Sequence, residues 1–339
     1  MGALFDRLAG LEVEIDGWGF DRLELATVRW VRISTVVTVT GGGLVGRGED
    51  VSYNPADQDA HQRMDVPALR GRRTLQEWSE VLDRTNLIPV PPSAPEARDY
   101  RRWAYESALL DLALRQAGLP LAQALGRESR PVRFCASPAG DPAPLLARYP
   151  ALELKLDAQA GWSGDDMRRL AASGRVRVVD LKGHYSGEWN RLPDDPPAFS
   201  AAVAEAFPDV VIEDPMLGPA MEPFLERHAH RISFDAPVHG LDDLLRLPVT
   251  GWCNIKPSRF ATVRRLFECV DHCERNGIAM YGGGQFEIGP GRAQIQEVAS
   301  VLYRDGPNDV APAGYNAAAP PDGLPESPLN PFTAPGFGA

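Results

Sequence analysis

The 339-residue chain has few cysteines, no long apolar run and no concentration of basic charge. Its four cysteines (Cys135, Cys253, Cys269 and Cys273) lack the regular spacing of a disulfide framework or a zinc site, which leaves reduced, buried thiols as the expectation. Cys269, His272 and Cys273 lie close enough to suggest a metal clip. Yet Val263, Leu266, Phe267 and Val270 recur at helical spacing, and Cys273 continues that stripe, so core packing is the favoured reading.

No stretch approaches the roughly 20 apolar residues of a membrane span, and the start, MGALFDRLAG, lacks a basic segment followed by an apolar run. A cytoplasmic protein with no membrane partner is therefore expected. The formal charge of -11 and the absence of a basic face argue against a nucleic-acid partner. No GxGxxG follows the first strand of the second half, which removes the main sign of a dinucleotide fold.

What is present fits a globular protein: 44% hydrophobic and 24% charged residues. The length favours two domains over one. In the first 129 residues strand-like segments (LEVEI, ELATVRWVRISTVVTVT, GLVGRGEDVSY) precede helical ones (TLQEWSEVLDRT, YRRWAYESALLDLALRQAG), the order of an α+β domain. In the second helix Tyr105, Ala108, Leu109, Leu112 and Ala113 form one apolar face; Gly118 supplies the cap and Pro120 prevents continuation.

From about residue 130 the chain alternates short β-rich runs with helical or loop stretches: VRFCAS, LELKL, VRVVDL, DVVIED, RISFDA, GWCNIK, IAMYGG and NDVAP. Eight nearly continuous apolar runs at such intervals predict a TIM-type α/β barrel of buried parallel strands, with an open doubly wound sheet as the alternative. After residue 317 the segment 318–339 is rich in Pro and Gly and aperiodic, and is read as a tail that is either disordered or pinned on the first domain.

In such a barrel the chemistry sits at the C-terminal strand ends. Three successive ends carry acids: Asp180 in VVDLKG, Glu213 in VIEDP and Asp235 in SFDAP. Grouped at one mouth they would repel one another without a cation, and an all-oxygen ligand set selects Mg²⁺, with Mn²⁺ as a substitute. Lys155 in ELKLD precedes this set and Lys256 in CNIKP follows it. A lysine near a second cation and a metal has its pKa lowered from about 10.4, which suits a base.

The order Lys, Asp, Glu, Asp, Lys on consecutive strand ends resembles the enolase superfamily, and its muconate-lactonising branch in particular. NIKPSRF is similar to that branch's sixth-strand signature, and AYESALLDLALRQAGLPLAQALG to the helix leading into its barrel. The resemblance implies a modified (β/α)7β barrel (130–317) with an N-terminal capping domain (1–129). It also implies a small carboxylate substrate on Mg²⁺, abstraction of the proton on the adjacent carbon, and a metal-stabilised enediolate. Racemisation, epimerisation or dehydration of the o-succinylbenzoate-synthase kind would follow. Cycloisomerisation and a catalytically silent binding barrel are the alternatives, and homo-oligomerisation is in keeping with the family.

The chain departs from the family pattern at three places. Glu153 stands where an earlier lysine usually pairs with the catalytic one, Lys182 where Asn is common two residues after the first ligand, and Ala236 where a Glu often follows the third. Strand alternation puts Lys182 on the side of Asp180. It is read as a substrate contact, a further acid/base, or a partner for Glu153 or Asp157. In YGGGQFEIGPGRAQ, the glycines, with Gly283 among them, either let a backbone approach a ligand or make a tight turn; Gln285 and Glu287 are substrate-side candidates. A phosphate-binding reading of GGGQF is the weaker option. The family's capping loops near residues 20 and 50 would offer Trp18, Phe20 and Tyr53, and His184 is a further loop-end candidate.

Overall fold

The computed structural model describes residues 4–27, 30–185, 193–248 and 251–338. The N-terminal part holds two antiparallel sheets, one of β1 (Glu12–Ile15) with β5 (Gly71–Thr74), the other ordered β2 (Gly17–Ala26), β3 (Val31–Gly41) and β4 (Leu44–Asp50). The run read from sequence as one long strand, ELATVRWVRISTVVTVT, divides between β2 and β3. Thr27 makes the break: its backbone N–H and its hydroxyl both donate to the Trp30 carbonyl, at 2.9 and 2.7 Å. No Gly or Pro marks this turn, so the composition of the run conceals it.

The helix Ala97–Ala117 lies against β4 with almost no gap. A Cβ on Gly48 would stand 2.0 Å from the Ala104 carbonyl oxygen, and one on Gly46 2.3 Å from that of Ala108. Only glycine permits that approach. Gly118, at φ 68°, closes the helix in the left-handed conformation expected of it. A capping box of Thr74 and Glu77 opens the helix Leu75–Asp83.

The second part is a seven-stranded parallel sheet whose spatial order follows the chain: β6 (Cys135–Ala136), β7 (Glu153–Asp157), β8 (Val176–Asp180), β9 (Val211–Glu213), β10 (Ile232–Phe234), β11 (Trp252–Ile255) and β12 (Ala279–Gly282). The eighth run, NDVAP, is no strand. It closes the sheet through a few bonds: Cys135 N–H donates to the Asn308 carbonyl at 2.6 Å, and Asp309 N–H donates to that of Gly282 at 2.8 Å. The Asn308 amide also donates to the Arg133 and Gly306 carbonyls. Pro307 and Pro312, which lack an N–H, limit the run on both sides.

One continuous apolar cluster joins the two parts, from Leu8 and Val37 to Val310 and Phe337. Two buried side chains tie them by polar bonds. Arg32 donates to the carbonyls of Val51 and Ser52 on one side and of Gln285 and Phe286 on the other. Glu49 accepts from the backbone N–H groups of Ile288, Gly289 and Gly291, at the start of the helix Pro290–Leu302.

The final segment is ordered along the body. Leu329 and Val132 exchange two backbone bonds of 2.9 Å, and Phe337 is buried against Trp103. Among the described residues no helix is long and apolar enough to cross a membrane.

Candidate active site

The strand register brings the acids to one level. Asp157 pairs with Asp180 across β7 and β8, Asp180 with Glu213 across β8 and β9, and Glu213 with Ser233 across β9 and β10. Asp180 and Glu213 end their strands, and Asp235 follows β10 directly. Ligand oxygens of Asp180, Glu213, Asp214 and Asp235 lie within 4.8 Å of one another, and all four side chains are buried.

Asp214 has a different job from the other three. It sits at φ 49°, and its two oxygens accept from the backbone N–H groups of Asp235 (2.8 Å) and Ala236 (2.9 Å). It therefore fixes the backbone that carries Asp235. Asp235 itself keeps one buried oxygen, Oδ1, without a hydrogen-bond partner.

Each of the other acids is paired with a lysine. Lys155 Nζ bonds Glu213 Oε1 and lies 3.7 Å from Asp180. Lys256 Nζ stands 2.7 Å from Asp235, and Lys182 Nζ 2.5 Å from Asp180 and 3.1 Å from Asp157. Lys182 thus neutralises Asp157, one of the partners considered for it, and not Glu153. Glu153 is held outside this cluster by Arg133 and Arg177.

Lys155 does not show the lowered pKa expected from sequence. Burial pulls Lys155 down, but Glu213, Asp180 and Asp309 outweigh it and hold the ammonium well above the usual lysine value. For Lys182 burial is likewise overridden, by Asp180 and Asp157. The nearest charges to each lysine are carboxylates rather than other cations, which sets the direction.

The residues present fit a hard divalent cation. All the donors are carboxylate oxygens, one of them unsatisfied, and even with Lys155, Lys182, Lys256 and Arg259 alongside, carboxylates outnumber cations. Burial raises Glu213, and Asp180 and Asp235 add to that against the opposing pull of Lys155. Such crowding is relieved by added positive charge.

Several site residues escaped sequence reasoning. The Tyr281 hydroxyl and the Asn254 amide both donate to Glu213 Oε2, the latter at 3.1 Å. Arg259 donates to the Asp235 carbonyl at 2.7 Å and to the Tyr185 hydroxyl at 3.0 Å. Strand alternation offered a signal for Asn254, which shares a face with Lys256 two residues on.

The seventh-strand loop has a definite packing role. A Cβ on Gly283 would meet Asn254 at 2.7 Å and the Lys256 stem at 2.8 Å, and one on Gly284 would lie 2.1 Å from Glu287 Oε2. These glycines make room for Lys256 and Glu287. Glu287 is buried, accepts from the Gln285 N–H at 2.8 Å and faces Arg292 at 3.6 Å. The Gln285 amide lies within bonding distance of Tyr53 and Arg259.

The capping-loop candidates separate. Tyr53 reaches the barrel through Gln285, with Arg32 over its ring at 4.7 Å. Trp18 instead donates to the Leu69 carbonyl and packs on Tyr105, and Phe20 packs on His61, all within the N-terminal part. His184 lines a cavity of about 450 Å³ with Tyr100, Tyr185, His239 and Arg259, beside Asp235.

Residues 6–124 and 128–317 match, respectively, the N-terminal and C-terminal domains of the family described as a domain of unknown function, DUF8230. An o-succinylbenzoate synthase from Geobacillus kaustophilus is 25% identical over 300 residues, spanning 83% of this chain and 77% of the synthase. The dipeptide epimerase from Methylococcus capsulatus complexed with Mg and the dipeptide L-Arg-D-Lys superposes with a TM-score of 0.74 at 18% identity, over 95% of this chain and 98% of that one. A member of the enolase superfamily from Listeria innocua superposes with a TM-score of 0.69 at 16% identity, over 96% and 94%. The chain belongs to the DUF8230 family, and its fold is that of the enolase superfamily.

Proposed function

We propose that this chain is an enzyme that removes the proton α to the carboxylate of a small substrate. Asp180, Glu213 and Asp235 would hold Mg²⁺, and Mn²⁺ could take its place. The bound ion would supply positive charge to the substrate carboxylate, which acidifies the neighbouring C–H.

The observation that carries the reading is the placement of two buried lysines on the strands flanking the acid-bearing ones, Lys155 on β7 and Lys256 just after β11. A cation on the acids would oppose the ammonium forms, so that Lys155 or Lys256, as the free amine, takes the proton at Nζ; the other, protonated, returns one from its own side or supports the charge of the enediolate. Proton return on the opposite side gives racemisation or epimerisation. Loss of a β-hydroxyl gives dehydration of the o-succinylbenzoate-synthase kind, and the Geobacillus relative carries that synthase's name. The structural likeness to a dipeptide epimerase supports the first outcome.

Lys182, Tyr281 and Asn254 set the charge and orientation of the acids, through Asp180 and Glu213. Gln285, Glu287 and Tyr53 stand on the side toward the N-terminal part and are assigned to the substrate, with Gly283 giving Lys256 its space. Trp18 is set further back by its contacts.

The test is incubation with Mg²⁺ and N-acyl amino acids, dipeptides, sugar acids and β-hydroxy acids in D₂O. Deuterium should enter at the α-carbon of at least one substrate, and the product should tell epimerisation from dehydration or cycloisomerisation. Exchange that survives the double change Lys155→Ala and Lys256→Ala would overturn the mechanism. A protein that binds Mg²⁺ but exchanges none of these classes would favour a silent binding barrel.

A further inference from the structure

Behind β11, on the face turned away from the acids, Cys253 meets Cys269 and Cys273 of the helix Val263–Asn276. All three are free and fully buried, and their sulfurs lie within 4.8 Å of one another. His272, a ligand candidate by sequence, turns aside and is bonded by the Asn276 side chain. The third sulfur comes from the strand instead, a partner that spacing along the helix does not reveal.

A second observation points the same way. Tyr303 is buried, its hydroxyl has no hydrogen-bond partner, and it lies near Cys253 and Cys269. A buried unpartnered hydroxyl is a costly group to leave beside a purely apolar cluster. It is suited to serve as a fourth polar neighbour to an ion bound by three sulfurs.

We propose that Cys253, Cys269 and Cys273 form a second metal site, a buried three-sulfur pocket for a thiophilic ion of the zinc or monovalent copper class. Metal–sulfur bonds of about 2.3 Å around one centre put sulfurs roughly 4 Å apart, inside the 4.8 Å that bounds the three sulfurs here. Each metal–sulfur bond forms as a thiol gives its proton to solvent, so loading releases protons and leaves no redox change. The hard acids and the soft sulfurs lie on opposite faces of β11, where Asn254 faces Glu213 and Cys253 faces the helix. An ion here would tie the strand that leads into Lys256 to the helix behind it.

Full-length reduced protein with excess Mg²⁺ is titrated with Cd²⁺, added both to the native protein and during refolding, and followed by ultraviolet absorption. One equivalent should bind with a thiolate-to-metal charge-transfer band and raise the melting temperature. Cys269→Ala and Cys273→Ala should each weaken binding at least tenfold, while Cys135→Ala, at a buried cysteine outside the cluster, should leave the band unchanged. No band in folded wild-type protein by either route overturns the proposal, whatever the variants do. So does a band that persists in the folded double variant Cys269→Ala/Cys273→Ala.

Discussion

At the scale of single residues, Lys182 and Asp214 set how strongly the acid cluster attracts a cation. The Lys182 ammonium bonds Asp180 directly, so it competes for the oxygens a divalent ion would use. Replacing it with Met is expected to tighten Mg²⁺ binding by roughly tenfold or more, measured by calorimetry, because the change removes a like charge a few ångströms away. Weaker binding would mean that Lys182 chiefly holds Asp180 in position. Asp214 works through the backbone. Asp214→Ala strands one buried and one part-buried N–H group, at about 1–3 kcal/mol for the buried one, and should lower both the urea midpoint and Mg²⁺ affinity, whereas a purely structural role would lower the midpoint alone.

The site was legible to unequal degrees at this scale. Asp180, Glu213, Asp235, Lys155 and Lys256 were readable because charged residues at the ends of apolar strand runs stand out. Tyr281 and Arg259 were not. A tyrosine inside an apolar run looks like core, and its bond to Glu213 exists only once β12 and β9 are brought to one interior. Lys182 was readable in position, but the choice between Glu153 and Asp157 depended on Arg133 and Arg177 having taken Glu153.

At the scale of elements, backbone contact decides what the helix Ala97–Ala117 tolerates. Gly48→Val should drive side-chain atoms into the Ala104 carbonyl and cost about 1–3 kcal/mol or more, read as a fall in melting temperature. The C-terminal segment is held by carboxylates as well as by Phe337. Asp111 accepts from the Phe337 N–H at 2.8 Å, and Glu297 accepts from that of Gly338. Burial, opposed by the Gly338 and Leu121 backbone, pushes Glu297 from its ordinary 4.5 up to about 7.

A carboxyl whose pKa is raised by folding stabilises the fold while protonated, and that stability fades as pH rises from the unfolded value through the folded one. Urea unfolding should therefore show stability falling between pH 4.5 and about 7, and Glu297→Gln should flatten that slope. An unchanged slope in the variant would remove Glu297 as its source. The barrel strands were visible in sequence as apolar runs, while the Thr27 turn and the closure at Asn308 were not. Both are built from side-chain and backbone bonds that leave no compositional mark.

At the scale of the whole molecule, the barrel mouth and the N-terminal part are joined by a guanidinium. Arg32 is fully buried and spends its donors on four carbonyls. Arg32→Met keeps much of the bulk and removes the donors. It should reduce turnover of whatever substrate the exchange screen identifies more than it reduces thermal stability, because the apolar cluster continues past this point. Equal losses in both would reduce Arg32 to a stability element.

All four of those carbonyls belong to the main chain, and a main-chain oxygen is present whichever amino acid occupies the position. The clamp is therefore blind to the side chains of Val51, Ser52, Gln285 and Phe286. Side chains at these two loops, among them the ones proposed to meet the substrate, can change without renegotiating how the loops are held, so single substitutions there are expected to alter substrate preference while the joint stays intact.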